Sequence, residues 1–309
     1  MIKKYIISAL LMLCVGCLGS CQYDKSNKLT VLSTTSMIHD VVTILAGDLV
    51  KAKSLMGPGV DPHLYKASAG DIKKIAKADA IFYNGLHLEA KLTDIFKQYQ
   101  DQKLVVAVAE SISVDKLLES ADYPGLYDPH VWFDVRLWIT VTEAVKNALI
   151  KLLPEHIAII ETNFFAYVSQ LNQLDRSIKQ QIAQIPQQQR LLVTAHDAFS
   201  YFAKAYDFEV AGLQGISTVS EASIKDIELV AELVVDKQVP AIFIESSVPK
   251  RSIKALKAAV KALGHDVVIG DELYTDALGE KNTPQGTYIG MIKHNVKSIF
   301  DGLIRHGQD

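Results

Sequence analysis

Along the first part of the chain, short apolar runs alternate with stretches in which apolar residues return every third or fourth position. The runs at 29–32, 79–83 and 104–108 predict buried parallel strands. Helical spacing at 37–45, 68–77 and 89–99 lies between them, and an amphipathic helix is predicted over 135–153. Such alternation predicts a βα unit with a mostly parallel sheet. The last third repeats the plan. Strands are predicted at 190–194, 208–212, 241–244 and 266–269, and helices at about 197–205, 220–237, 249–262 and 287–304.

The stretch between the two halves differs. Residues 154–185 contain no glycine and no proline after Pro154, and Ile157, Ile160, Phe164, Val168, Leu171, Leu174, Ile178 and Ile182 recur at helical spacing. Pro154 suits a first helical turn, and Pro186 ends the run. A helix of this length would extend about 48 Å. The repeat covers too few heptads for a coiled-coil arm, so it reads as a spine between domains. The expected fold class is α/β: two βα domains with mostly parallel sheets joined by one long rigid helix. The expected boundaries are 29–153 for the first domain, 154–186 for the spine and 187–309 for the second domain.

The first residues read as an address. Lys3 and Lys4 precede an apolar stretch over 5–18, which is too short to span a bilayer comfortably. Leu18-Gly19-Ser20-Cys21 then resembles a bacterial lipobox. Residues 1–20 are therefore expected to be a signal peptide, Cys21 the lipidated residue, and 21–28 a polar tether. A lipid on Cys21 would hold the protein at a membrane surface outside the cytoplasm. Cys14, Cys17 and Cys21 are the only cysteines, so the processed chain has no disulfide and no thiolate ligand.

Composition narrows the function. With 49% hydrophobic and 22% charged residues among 309, the chain is neither wholly disordered nor collagen-like. Its net charge of −3 becomes more negative once Lys3 and Lys4 are removed. No basic run is present, which argues against nucleic-acid binding.

The candidate chemistry lies in histidines and acids. His39, His156, His265, His294 and His306 suit packing or surface roles. His87 follows a predicted strand and suits a supporting role. Asp61-Pro62-His63 and Asp128-Pro129-His130 share a setting in which proline stiffens the backbone that presents the imidazole. His196 lies just beyond the carboxyl end of a predicted strand, where open α/β sheets bind ligands. Asp271, Glu272 and Asp276 follow the last predicted strand, and periodicity does not choose among them. Three imidazoles and one carboxylate suit a borderline divalent ion such as zinc, and no thiolate or thioether in these loops favours Cu(I). There is no His-Glu-x-x-His, Gly-x-Ser-x-Gly or phosphate-binding glycine loop.

Several motifs in order resemble one family. Asp61-Pro62-His63, Asp128-Pro129-His130-Val131-Trp132-Phe133-Asp134, Ala195-His196-Asp197-Ala198-Phe199 and Gly212-Leu213-Gln214-Gly215-Ile216-Ser217-Thr218 carry the resemblance. Ile242-Phe243-Ile244-Glu245-Ser246 and Leu273-Tyr274-Thr275-Asp276-Ala277-Leu278 extend it. Together they resemble the cluster A-I (TroA-like) zinc- and manganese-binding solute receptors of ABC importers. That resemblance implies a metal site in the interdomain cleft, with ligands His63, His130, His196 and Asp276. It implies Zn2+ or Mn2+ as cargo and leaves Fe2+ open. His196 departs from the glutamate usual in manganese-specialised relatives, and the chain lacks the His-rich loop of many zinc-specialised ones. The implied partners are a membrane permease with its cytoplasmic ATPase, with the receptor a monomer. A zinc hydrolase is disfavoured because Asp276 would fill the position that a catalytic water needs. A surface adhesin with a structural metal is the other alternative.

Overall fold

The computed structural model describes residues 28–120 and 123–305. The leader, Cys21, nearly all of the expected tether and His306 lie outside the described residues. Strand β1 (Thr30–Ser33) is central in a parallel sheet, which is why its apolar run is continuous. It pairs with β2 (Lys51–Ser54) and β3 (Ala80–Tyr83), and β4 (Leu104–Ala107) completes the order β2-β1-β3-β4. The apolar pattern missed β2. Lys51-Ala52-Lys53-Ser54 is an edge strand whose lysines are exposed and whose small residues are half-buried, so it has no apolar run to detect. Lysine at a sheet edge also discourages pairing with another chain.

Helix α1 (Ser36–Ala46) buries Met37, Ile38, Val41, Val42 and Leu45, and the Thr35 hydroxyl accepts a bond from the Ile38 N–H at its start. Helix α2 (Ala69–Lys77) begins with a capping box between Ser68 and Asp71. Helix α3 (Thr93–Lys97) is shorter than the 89–99 expected, because 85–92 folds into successive turns. Helix α4 (Val135–Leu152) starts on the Asp134 side chain, which accepts from two backbone N–H groups.

The spine is present as α5 (Ile157–Ile182), preceded by one 3-10 turn over Pro154–His156. Its 26 residues extend about 39 Å, somewhat less than the apolar repeat suggested. Asp175 on its buried face accepts from Lys179 at 2.7 Å and from the Tyr206 hydroxyl at 3.3 Å, tying the spine to the second half.

The second half contains β5 (Leu191–His196), α6 (Ser200–Tyr206), β6 (Glu209–Gln214), α7 (Ile224–Asp236), β7 (Ala241–Ile242), α8 (Arg251–Ala262), β8 (Val268–Ile269) and α9 (Tyr288–Arg305). β5 pairs in parallel with β6, and β7 with β8. The Phe243 N–H donates to the Val193 carbonyl at 2.9 Å and joins the two pairs. α7 begins later than expected because Ser223 and Asp226 form a capping box there. The apolar alternation thus gave the right class, an α/β fold with parallel sheets and one long connecting helix.

One apolar cluster runs through both halves. It includes Val41 of α1, Trp138 of α4, Phe164 and Leu171 of α5, Phe202 of α6 and Met291 of α9. Tyr288 stacks on Trp138 with ring centroids 5.0 Å apart, and its hydroxyl donates to the Trp132 carbonyl at 2.7 Å. A wide opening of the halves would expose this shared core, at about 1.5–3 kcal/mol for each large side chain uncovered.

Asp40 sits at the same junction and accepts from the Tyr288 N–H at 2.8 Å. Burial pushes its carboxyl pKa up to about 6, outweighing that hydrogen bond. The folded state therefore binds more protons than the unfolded state between about pH 4 and 6, and stability falls as pH rises through that window. Asp40→Asn, which keeps an acceptor for Tyr288, is expected to remove this part of the pH dependence. Thermal melts of both proteins across the window measure it; parallel curves would show that Asp40 does not titrate there.

Candidate metal centre

Four loops at or beyond strand ends converge between the halves. His63 follows β2, His196 is the last residue of β5, and Asp276 lies in the loop after β8. His130 ends the long connection before α4. This is the carboxyl side of the sheets, where α/β folds place their sites. One potential ligand atom from each of the four lies within 4.8 Å of the others. His63 Nε2 and His130 Nε2 are 3.2 Å apart. The Asp276 oxygens stand 3.5 Å from His130 Nε2 and 3.6 Å from His196 Nε2. Donor atoms around a four-coordinate ion with bonds near 2.1 Å lie about 3.4 Å apart, close to these three separations.

Burial supports the same fit. His130, His196 and Asp276 are at most 1% exposed, and His63 is 6% exposed. His196 Nε2 and Asp276 Oδ1 are fully buried and have no hydrogen-bond partner. Leaving such groups unpaired costs about 1–3 kcal/mol each, more where charge is involved, and an ion between them removes that cost. No cysteine or methionine sulfur belongs to this group.

The imidazoles are aimed by carboxylates. His130 Nδ1 lies 2.7 Å from Asp128 Oδ1, which also accepts from the His130 N–H at 2.9 Å. His196 Nδ1 lies 2.5 Å from Glu245 Oε2, and Glu245 Oε1 accepts from the His196 N–H at 2.9 Å. Each carboxylate holds the proton on Nδ1 and leaves Nε2 facing the centre. The two Asp-Pro-His segments therefore diverge. Both aspartates accept from the histidine N–H two residues on, but Asp61 does not hold the His63 ring. Its other oxygen accepts from the Thr218 hydroxyl at 2.6 Å, across the cleft.

The electrostatics follow from these partners. Burial disfavours the His130 imidazolium, yet Asp128 and Asp276 overcome this and push its pKa up to about 9. His196 is raised in the same direction: burial opposes the charge, and Glu245 and Asp276 prevail. His63 has no such carboxylate at its ring, and burial pulls its pKa down to about 3. Burial alone would raise the Asp276 carboxyl, but His196, His130 and His63 hold it well below the usual carboxylate range.

The backbone around the site is fixed from several directions. Gly212 of β6 passes so close to His196 that a Cβ would lie 2.7 Å from the His196 carbonyl carbon. The fully buried Glu89 accepts from Asn84 and Gly85 N–H groups and from the Thr34 hydroxyl, while the Asn84 amide donates to the Pro129 carbonyl beside His130. The Tyr201 hydroxyl of α6 donates to the Asp128 carbonyl at 3.1 Å. For Asp276, Ser247 donates to Oδ2 at 2.9 Å, and the Trp132 indole N–H donates to the neighbouring Thr275 carbonyl at 2.9 Å.

Of the three acids left open by periodicity, Asp276 joins the cluster. Asp271 is exposed, and Glu272 pairs with Lys250 at 2.7 Å. His87 is exposed and borders a cavity of about 280 Å³ that also reaches His63. His265 and His294 meet the Val239 and Glu272 carbonyls, as packing histidines do. Sequence reasoning gave no role to Glu245, Ser247, Thr218 or Trp132. The one signal for Glu245 was its position directly after the apolar run Ile242-Phe243-Ile244, at the end of a buried strand where α/β sheets place their sites. Trp132 and Thr275 are 143 positions apart, and no local signal joins them.

A buried three-histidine, one-aspartate cluster between two parallel-sheet halves on a long helix belongs to a known class of metal-uptake receptor. The model of the family described as zinc-uptake complex component A, periplasmic, matches residues 31–302, and the chain belongs to that family. It is 47% identical over 287 residues to the zinc-binding protein TroA of Treponema pallidum, covering 93% of this chain and 92% of the relative. The manganese-binding lipoprotein MntA of Bacillus subtilis is 45% identical over 291 residues, covering 93% and 95%. The iron ABC transporter substrate-binding lipoprotein MtsA of Streptococcus pyogenes is 34% identical over 91% of both chains. Among solved structures, the periplasmic zinc-binding protein TroA of T. pallidum matches with a TM-score of 0.88 at 48% identity, covering 90% of this chain and 99% of that one.

The Trp132–Thr275 bond is a buried link between the halves. Trp132→Phe leaves the Thr275 carbonyl without its donor and removes ring volume, so it is expected to destabilise the metal-free protein by about 1–3 kcal/mol. Urea unfolding measures the change; an unaltered midpoint would mean the link contributes nothing.

Proposed function

We propose that this protein captures a divalent transition-metal ion outside the cytoplasm and delivers it to the membrane permease of an ABC importer. His63, His130 and His196 bind through Nε2 and Asp276 through its carboxylate. The observation that carries the reading is the convergence of four buried donor atoms from both halves within 4.8 Å of one another. The chemistry is coordination, with no bond made or broken in a substrate. Asp276 takes the position that a hydrolytic water would need, and Asp128 and Glu245 are engaged in aiming imidazoles, which supports capture over catalysis.

Zinc and manganese are the proposed cargoes, with iron admitted by the same donor set. Relatives named for each of the three metals support that breadth. Three imidazoles and one carboxylate hold zinc more tightly than manganese at equal supply, so availability outside the cell decides which is carried. The ion joins residues from both halves, so it stabilises the folded protein by mass action, by about 2.7 kcal/mol at a hundredfold excess over its Kd. We assign 29–153, 154–186 and 187–309 as first domain, spine and second domain. The shared core favours release by a small tilt or loop movement. Lipidation of Cys21 keeps the receptor beside its permease, and relatives named as lipoproteins support that placement.

Calorimetric titration with zinc tests the site. Binding of one ion per chain is expected, with Asp276→Ala weakening it by about a hundredfold or more. Asp271→Ala should leave it unchanged, and the reverse order would move the ligand to Asp271. Because His130 holds its proton up to about pH 9 without metal, binding expels that proton. Affinity is therefore expected to rise with pH toward that value and to fall in acid.

The anchor is tested separately. Cys21→Ser is expected to move the protein from the membrane to the soluble fraction. Intact mass of the mature wild type should show a lipid on Cys21; an unmodified cysteine there would sink the anchor without touching the metal site.

A further inference from the structure

The segment 215–222 joins β6 to α7 with no helix or strand of its own. It begins beside His196, because Gln214 is the β6 partner of His196 in the β5–β6 ladder. Its base is closed by the Gln214 amide, which donates to the Ser220 carbonyl at 2.9 Å. Its middle crosses to the other half, where Thr218, only 6% exposed, donates to Asp61 Oδ2 at 2.6 Å. The same carboxylate accepts from the His63 N–H through Oδ1 at 2.8 Å. A single aspartate thus connects this strap to the turn that carries His63.

The strap also borders the cavities around the metal centre. Its residues line three surrounding cavities of about 680, 470 and 280 Å³. His63 borders the smallest, facing Ile216, Ser217 and Val219 of the strap. His63 is also the most exposed of the four clustered residues, which places the exit of the site on this side. His130 and His196 each have a carboxylate at the ring, whereas Asp61 supports only the His63 backbone turn. His63 therefore depends most on its backbone for its aim. Beside Thr218, Val219 is 57% exposed and gives a docking partner an apolar grip on the strap.

Building on the metal-capture reading above, we propose that Thr218 is a positioning residue for the metal site: its bond to Asp61 latches the strap across the cleft, holds His63 on the ion, and breaks when the ion is released. Lifting the strap removes the cross-cleft support of the Asp61 turn and uncovers the cavity at His63. A permease that displaced Val219 would open the latch without separating the shared core.

The test is the release of zinc into excess chelator, followed by stopped flow, beside thermal melts of the metal-free proteins. Thr218→Val keeps the shape and removes the hydroxyl. It is expected to release zinc about tenfold faster or more, as loss of a hydrogen bond to a charged acceptor implies, with little change in the association rate. Thr218→Ala should release as fast as Thr218→Val, and Thr218→Ser should restore slow release. The metal-free melting temperatures should stay close to wild type. Wild-type release from a folded Thr218→Val or Thr218→Ala protein would overturn the latch and leave the metal site standing. Failure of the wild type to take up zinc at all would overturn the capture reading and the latch together. An equal fall in melting temperature and equally faster release in all three variants, serine included, would reduce Thr218 to a structural contact.

Discussion

Side-chain atoms of His63, His130, His196 and Asp276 face one buried point, and taking these polar groups out of water constrains most of the structure around them. Imidazoles and a carboxylate removed from water need charge or hydrogen bonds from somewhere. Asp128 and Glu245 supply them on the outer side of His130 and His196, while Asp276 stands at the centre. An ion placed there completes the balance on the inner side. Without it, raised proton affinity at His130 and His196 keeps positive charge beside Asp276. A metal ion bound at this point would take over the electrostatic role of those protons.

The scaffold meets the constraint by rigidity. The spine α5 packs against α1 and α4 of the first half and against α9 of the second, so both halves rest on one helix. Trp132, Tyr201, Tyr288 and Asp40 add hydrogen bonds between the halves close to the site. Such a junction favours small local adjustments over a wide hinge, because separating the halves would uncover the common core. Local adjustment is easiest in cleft loops such as 215–222, which have no helix or strand of their own.

Much of the fold is legible in the pattern of apolar residues. The runs at 29–32 and 79–83 became the inner strands β1 and β3, which are apolar because both faces of the sheet are covered there, and the run at 104–108 became the half-buried edge strand β4. β2 escaped, because an edge strand with exposed lysines carries no such run. The spine was legible because its apolar repeat is local, although its ends were not: a 3-10 turn replaced its first helical turn. The family motifs pointed to His63, His130, His196 and Asp276, and these four side chains lie close together in the fold. Spacing alone left Asp271, Glu272 and Asp276 equal. Burial separates them, since Asp271 is exposed and Asp276 is enclosed.

What the sequence by itself determined depends on neighbours along the chain: the type of most strands and helices, the stiff Asp-Pro-His turns, and the donor chemistry of the loops. What only the tertiary structure decided is which distant groups face each other. Asp61 and Asp128 occupy the same local motif, yet Asp128 aims its histidine ring while Asp61 reaches across the cleft to Thr218, 157 positions away. Trp132 meets Thr275, and Glu245 meets His196, by the same kind of long-range packing. Local sequence sets the backbone conformation and presents a side chain. Its partner is set by the burial of a shared core, a property of the whole chain that no local pattern contains.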